Sequence, residues 1–412
     1  MTETPSWQEA MMIAASLGAP VPAHPVPLAE AIGATAAEEL RTRIPLPHYD
    51  SAAMDGYAVS GPGPWRLDPV GSAEPTGGLD SEPHRTSGTR PLPQGCARAV
   101  LTGGLIPEGT SSVLRQEFAD DRGGWLHLAG DRTDDPPAAA RGDLTPGRHI
   151  RTAGCEAPAG TVMVTEGTVL SPAHIAYLSI AGFDEVLVRS RPRVTVLTTG
   201  DEVISRGMPQ PGQVRDAFTP VLPTVLGSLG ARPVQVHRVG DDRGELDRAL
   251  DAAVDASDLV VTTGGTGRSG ADLVRRALTD RGTVAFSEVA MRPGHPTMAA
   301  RLPSAERAVP VVALPGNPLA AMVALRVVVQ PVIEAMLDRA PRPVSRVPTE
   351  PVQPSRVDRL LPGLLAEDGL WRTTEATGAN MLRGLAAAQG LLVLPREGIS
   401  DGGEAVLLDL PW

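Results

Sequence analysis

Oxygen-donor side chains and glycines are concentrated in four short stretches of this sequence, each directly after an apolar run. Thr199-Gly200-Asp201-Glu202 and Gly240-Asp241-Asp242 carry acidic pairs. Gly264-Gly265-Thr266-Gly267-Arg268-Ser269-Gly270 is glycine-rich and is followed by Asp272, and Leu314-Pro315-Gly316-Asn317-Pro318 is a stiff turn. Carboxylates brought together repel one another unless a cation holds them, and hard oxygen ligands beside a phosphate suit Mg²⁺. Taken singly, each acid reads as readily as a helix N-cap or a first-turn partner of the helix dipole. The glycine-rich stretch can bring backbone N–H groups close to a phosphate, because glycine allows positive φ and has no side chain in the way. In the turn, Asn317 suits an N-cap and Pro318 the first helical position.

Gly265 to Gly270 also spells GxGxxG, and Glu288 follows a short strand about where a ribose-binding acid stands in a dinucleotide fold. A dinucleotide-binding protein is therefore an alternative. Against it, the motif lies on an interior strand unit and no second mononucleotide half is visible. Farther upstream, Asp50 to Ala58 contains Asp55-Gly56, a turn signal flanked by Met54 and Tyr57.

The elements that must position these loops follow from the alternation around them. Val194–Leu197 reads as a buried strand, and Pro233–Val239, Leu259–Thr262 and Val309–Leu314 as further strands. Ala217–Leu229, Arg243–Asp255, Gly270–Asp280 and Leu319–Met336 read as the helices between and after them. That order predicts a parallel sheet covered by helices on both faces. In such a sheet every loop named above lies at a strand's carboxyl end, where ligands bind. Trp7–Leu17 and Leu28–Leu40 have helical apolar spacing. The stretch from Ile44 to Asp143 is rich in Gly, Pro and Thr with β-like pieces at Ala99–Thr102 and Trp125–Leu128, so a small β domain is expected. Five prolines between Asp338 and Pro354 read as a linker, and Leu391–Leu394 and Ala405–Leu410 as strands of a terminal β domain.

At 412 residues the chain has room for two to four domains. Its net charge is −11, and all 37 basic side chains are arginine. The absence of lysine removes Schiff-base chemistry and a P-loop lysine. An acidic whole argues against nucleic-acid or anionic-membrane partners, although a local arginine cluster could bind a small anion. No export signal is read at Met1 to Trp7. The longest apolar stretch, Leu319 to Ile333, is interrupted by Arg326, Gln330 and Pro331 and is expected not to span a bilayer. Cys96 and Cys155 match no metal spacing and no disulfide framework, which fits a reducing, cytoplasmic setting.

Together these residues resemble the molybdopterin molybdotransferase family, the bacterial MoeA type related to gephyrin's E domain. The landmarks are Ser51 to Val59, Leu101-Thr102-Gly103-Gly104 with Ile106-Pro107-Glu108-Gly109, Arg141-Gly142-Asp143, Arg191-Pro192-Arg193 running into Thr199 to Glu202, Gly240-Asp241-Asp242, Arg292-Pro293-Gly294 and Leu314 to Pro318. The resemblance implies a multidomain α/β fold and an elongated homodimer. A dimerisation domain would comprise residues 1–45 and 145–190, an inserted small β domain 46–144, a doubly wound molybdopterin-binding domain 191–337 and a C-terminal β domain 338–412. The site would be completed across the dimer by the partner's β domain.

The implied substrates are adenylylated molybdopterin and molybdate, with Mg²⁺; AMP is cleaved and molybdenum is left on the dithiolene. Asp55, Asp143, Asp242 and Asp272 would be catalytic, and Asp201, Glu202, Asp241 and Asp242 would hold the metal. Thr102, Thr199, Gly200, Gly264 to Gly267, Arg268, Arg292, His295, Pro315, Asn317 and Pro318 would bind the pterin or the oxyanion. Where the family tends to have lysine, this chain has Glu288, Arg292 and His295, and its Gly-Gly-Thr-Gly loop looks more like the related molybdopterin adenylyltransferases. Such an adenylyltransferase, or a recipient molybdoenzyme, is the partner implied beyond the homodimer. The alternative is a pterin- or nucleotide-binding or scaffolding paralogue without metal insertion. A cavity filled by Phe218, or closed by an Arg268–Glu288 pair, would favour that alternative.

Overall fold

Six strands form the sheet on which the candidate loops are mounted: β1 (Arg193–Thr199), β2 (Arg232–Val239), β3 (Leu259–Thr263), β4 (Thr283–Phe286), β5 (Met298–Pro303) and β6 (Ala308–Leu314), in the order β2-β1-β3-β6-β5-β4. The computed structural model describes residues 4–68, 90–129, 138–267, 272–305 and 307–412. β1 runs parallel to β2 and β3, and β3 parallel to β6. β5 and β4 run antiparallel at one edge, which the expectation of a wholly parallel sheet did not contain. The reason is chain length: only residues 304–307 join β5 to β6, and a parallel crossover needs a dozen residues or more.

The strands alternate as a doubly wound sheet requires. Val194, Val196, Leu259, Val261, Val312 and Leu314 face one core, shared with helix α1 (Trp7–Leu17), helix α2 (Leu222–Ser228) and the long helix Pro318–Met336. Leu197, Val260, Val311 and Ala313 face the other, against α3 (Arg243–Ala256) and α4 (Leu273–Arg281). Burial on both faces is why these strands read as continuous apolar runs. α2 is shorter than the expected Ala217–Leu229. Asp216 accepts the Phe218 and Thr219 amides at 2.8 and 3.0 Å, holding a turn there, and Pro220 and Pro223 delay the helix start.

Pro318–Met336 (α5) is long and apolar enough to cross a membrane, with mean hydropathy 1.7, but 94% of that window is buried inside the protein. Its middle, Leu325–Val329, is a π-helical turn just before Pro331, whose missing N–H an unbroken α-helix could not accommodate. The buried Arg326 donates through Nε to the Asp409 carbonyl at 3.0 Å, tying α5 to the C-terminal strand region.

α1 starts with a reciprocal cap: Ser6 Oγ accepts the Glu9 amide and Glu9 Oε2 accepts the Ser6 amide at 2.8 Å. Its small face, Ala10 and Ala14, packs on α5. The expected helix Leu28–Leu40 is reduced to a 3₁₀ turn at Leu28–Glu30. Gly33 sits at φ +78°, and Thr35 and Ala36 bridge to Val169 and Val188, so strand-like pairing overrides the local apolar spacing.

The same compact unit (Met1–Glu38, Thr165–Pro172, Glu185–Trp412) ends in a second sheet. Its order is Met291–Arg292, Asp358–Leu365, Gly390–Leu394, Glu404–Leu408 and Ser345–Pro348, with Trp371–Thr373 beside Asp358–Leu365. The proline-rich stretch expected as a linker thus contains an edge strand, where Pro348 is tolerated.

The other unit, Glu39–Val164 with Ala173–Asp184, is built on a six-stranded sheet: Ser112–Arg115, Gly56–Val59, Cys96–Val100, Trp65–Leu67, Trp125–Leu128 and Ala119–Asp121. Trp65, 1% exposed, anchors one core, and its Nε1 donates to the Gly61 carbonyl at 2.9 Å.

Gly18, the cap of α1, makes a sharp stability test. A Cβ there would lie 2.5 Å from the Val332 carbonyl oxygen of α5, which is backbone and cannot step aside. Gly18→Ala is expected to cost about 1–3 kcal/mol, read as a lower thermal midpoint; an unchanged midpoint would mean that α1 is not seated on α5 this closely.

Candidate functional site

The carboxyl ends of β1, β2, β3 and β6 surround a cavity of about 810 Å³. Thr199, Gly200 and Glu202 line it from the loop after β1, Asp241 from the loop after β2, Gly264 to Gly267 and Asp272 from the loop after β3, and Pro315, Asn317 and Pro318 from the turn after β6. Asn380 closes one side. Arg268, Ser269 and Gly270 lie outside the described residues, and with them the end of GxGxxG.

Local chemistry holds these loops open. Gly264 is at φ +87°, and a Cβ on it would meet Thr199 Oγ1 at 2.7 Å; that hydroxyl donates to the Thr263 carbonyl at 2.8 Å and fastens the β1 and β3 loops together. Asp272 Oδ1 accepts the Gly267 amide at 2.8 Å. Arg238 donates to the carbonyls of Gly200 and Asp201 at 3.1 and 3.3 Å and braces the first acidic loop. Asp201 and Asp241 accept one another's amides, each at 3.3 Å. Asp201, exposed, is not a lining residue, and Asp242 is the N-cap of α3, accepting the Glu245 amide at 2.7 Å, outside the lining as well.

Sequence reasoning did not single out Arg215 and Asp216 as site residues, yet both line the cavity. They arrive through a two-residue parallel ladder, Val203–Ile204 with Val214–Arg215, too short to carry a periodic signal. Burial pushes the Asp216 carboxyl up, but the Thr219 and Phe218 donors and nearby Arg238 hold it below its ordinary value. Phe218, 8% exposed, belongs to the core and forms a wall without filling the cavity.

Glu202 and Asp241 offer hard oxygens, while among the described residues no three His, Cys, Asp or Glu side chains converge as an ion cage. That donor set fits a cation that keeps water and takes phosphate oxygens, as Mg²⁺ does.

A second pocket of about 320 Å³ shares Pro296, Pro315 and Asn317 with the first and is cationic. Arg292 and Arg359 are register partners in the parallel pair Met291–Arg292 with Asp358–Leu365. Like charges side by side on adjacent strands repel, and Arg359 Nε is buried with no hydrogen-bond partner among the described residues. Both features call for an anion. His295 also lines this pocket; its Nδ1 must donate to the Val289 carbonyl, 2.8 Å away, since a carbonyl only accepts. Its Nε2 lies 3.5 Å from Glu288, which also faces Arg275 at 3.7 Å. A ribose-binding role for Glu288 would have to compete with both.

Asp55, Thr102 and Asp143 lie in the other unit. Asp55 Oδ1 accepts the Thr102 amide at 2.7 Å and its hydroxyl at 2.9 Å, which holds the exposed Asp55 carboxyl below the usual range. Asp143 is 1% exposed and fully engaged: Arg115 donates through its amide and guanidinium, Nε at 3.0 Å, and His149 Nε2 lies at 2.8 Å. Burial would raise this carboxyl, but the Arg115 and His149 hydrogen bonds outweigh it and keep it low.

Comparison with known proteins adds two family profiles and close-length relatives. Residues 5–182 match the profile described as "MoeA N-terminal region (domain I and II)", and residues 195–335 the one described as "Probable molybdopterin binding domain". The chain is 31% identical over 402 residues to Molybdopterin molybdenumtransferase 2 of Mycobacterium tuberculosis, covering 90% of this chain and 91% of the relative. It is 30% identical over 407 residues to Molybdopterin molybdenumtransferase of Nostoc sp., covering 94% and 88%. Among solved structures, a molybdopterin biosynthesis MoeA protein from Pyrococcus horikoshii superposes with TM-score 0.77 at 24% identity, covering 100% of both chains, a likeness of fold.

Asp143 yields a pH test. A carboxyl held low in the folded state stabilises above its unfolded value near 3.9, and that stability is lost as pH falls through the folded value. Asp143→Asn is expected to be about 1–3 kcal/mol less stable at neutral pH, with the gap to wild type closing below about pH 4. A gap independent of pH, measured by denaturant unfolding, would contradict the brace.

Proposed function

The chain belongs to the molybdopterin molybdenumtransferase (MoeA) family, transferases of molybdenum cofactor biosynthesis, and from that premise we propose how its own residues divide the work. Adenylylated molybdopterin binds with its diphosphate in the 810 Å³ cavity, and molybdate, the second substrate, enters the pocket of Arg292, Arg359 and His295. The observation that carries this reading is the shared wall: Pro296, Pro315 and Asn317 border both spaces, so a diphosphate in one and an oxyanion in the other are neighbours.

The Gly264 to Gly267 amides bind phosphate oxygens, and Arg215 neutralises part of their charge. Glu202 and Asp241, with Asp201 beside them, would hold Mg²⁺, which supplies charge neutralisation and Lewis-acid polarisation of the phosphate when bound. Those carboxylates also repel an unaccompanied anion, so binding of the phosphate depends on the cation. Arg292 and Arg359 hold the oxyanion by charge-assisted hydrogen bonds, and His295 donates from Nε2 only as the imidazolium. Asp272 fixes the Gly267 end of the phosphate loop. Asp242 acts through the placement of α3, Asp143 through Arg115, and Asp55 through the Thr102 loop; we read these three as positioning residues. The protein works as a cytoplasmic homodimer, receives its pterin from an adenylyltransferase and passes the finished cofactor to a molybdoenzyme.

The test is anaerobic incubation with adenylylated molybdopterin, Mg²⁺ and molybdate, following AMP release and cofactor formation. Glu202→Gln is expected to lower kcat about 100-fold. Arg292→Ala is expected to raise the KM for molybdate about tenfold while leaving pterin affinity within about twofold. Tight pterin binding without molybdate-dependent turnover in the wild type would sink the transferase reading and leave a binding paralogue.

A further inference from the structure

The opposite edge of the same sheet carries a charge arrangement that this chemistry does not use. Arg232 is the first residue of β2 and Arg193 the first of β1, and they are register partners in the parallel pair. Asp258 immediately precedes β3, and Arg307 immediately precedes β6. Read across the sheet in strand order, the amino edge is therefore positive, positive, negative, positive. Arg191 joins the cluster, and all five side chains line a cavity of about 640 Å³ together with His24.

Asp258 does not balance this edge. Its carboxylate accepts Arg193 through the amide at 2.7 Å and the guanidinium at 3.2 Å, and Arg307 at 2.6 Å, so one negative charge is divided between two arginines. Arg191 spends its donors on the neutral carbonyls of Gly227 and Ala231, at 3.0 and 2.9 Å. The exposed Arg232 guanidinium has no partner among the described residues. Four guanidinium groups thus face one carboxylate, in a chain whose net charge is −11. Two arginines side by side on adjacent strands repel unless an anion lies between them.

We propose that this cavity is a second anion site, distinct from the candidate active site, and that it takes a diphosphate group. The cations stand at three of four neighbouring strand ends, a width of roughly 14 Å at the usual strand spacing, so an anion with charge on two linked phosphates pairs more of them than a single tetrahedral ion can. The volume is that of a small-molecule site. Arg193 and the cavity-lining Thr199 are opposite ends of one strand, roughly 20 Å apart, so neither site can reach into the other.

Calorimetric titration of the full chain with inorganic pyrophosphate, without Mg²⁺ so that the cation-dependent diphosphate cavity at the carboxyl edge stays empty, tests this. Saturable binding is expected that weakens at least about tenfold in Arg232→Gln and is within about twofold of wild type in Arg292→Ala. Because the Arg232 side chain makes no hydrogen bond or ion pair among the described residues, AMP release by Arg232→Gln is expected to stay at the wild-type rate. Orthophosphate is expected to bind at least about tenfold more weakly than pyrophosphate. ADP matching pyrophosphate would assign the site to the diphosphate alone, and ADP binding more tightly would make a nucleoside diphosphate the occupant. Absence of saturable binding, or pyrophosphate affinity unchanged in Arg232→Gln, would overturn the proposal.

Discussion

Parallel pairing of β1 with β2 and β3, and of β3 with β6, is the constraint on which the rest of this structure depends. Strands that share a direction end at the same edge, so loops separated by more than a hundred residues of sequence become neighbours. Thr199, Asp241, Gly264 and Pro315 meet only for that reason. The same rule sorts the amino ends to the other edge, where Arg193, Arg232 and Arg307 gather without any local sequence signal that would group them. One topological choice therefore creates both a carboxylate-rich mouth and an arginine-rich one.

Charge is then distributed by residue type as well as by place. With no lysine, every cation is a guanidinium, whose planar fork suits carboxylate and phosphate and whose charge persists over the working pH range. Most arginines are spent on braces, such as Arg115 on Asp143 or Arg238 on the Gly200 loop. Three that lack such partners among the described residues, Arg292, Arg359 and Arg232, each stand beside another arginine on the adjacent strand. A brace lowers the energy of the fold; an unbalanced pair raises it until an anion arrives.

The strand–loop–helix alternation from Arg193 onward is readable because the inner strands β1, β3 and β6 are buried on both faces and α3 and α4 bury only one. Less was readable elsewhere. Leu28–Leu40 has a helix's apolar spacing, but its backbone pairs with distant strands, and local pattern carries no record of that. The antiparallel edge of β5 and β4 depended on a connection too short for a crossover, a length signal rather than a periodic one. Arg359 carries no sequence signal because it sits at the start of a strand, 67 positions after its partner Arg292, and only the ladder joins them. Asp242 shows the converse: an acid after a strand looks like a ligand, whereas its Oδ1 caps α3. For a single aspartate, the cap and the ligand leave the same trace in sequence.

The most direct measurement is a molybdenum anomalous difference map from crystals of the full chain soaked with adenylylated molybdopterin and molybdate, with Ca²⁺ replacing Mg²⁺ so that a cation is present to hold the diphosphate. A peak beside Arg292 and Arg359, with the diphosphate lying against the Gly264 to Gly267 amides, is the expected result. A peak at the amino edge beside Arg232, or a pterin bound away from the carboxyl ends of the strands, would contradict the assignment of the site.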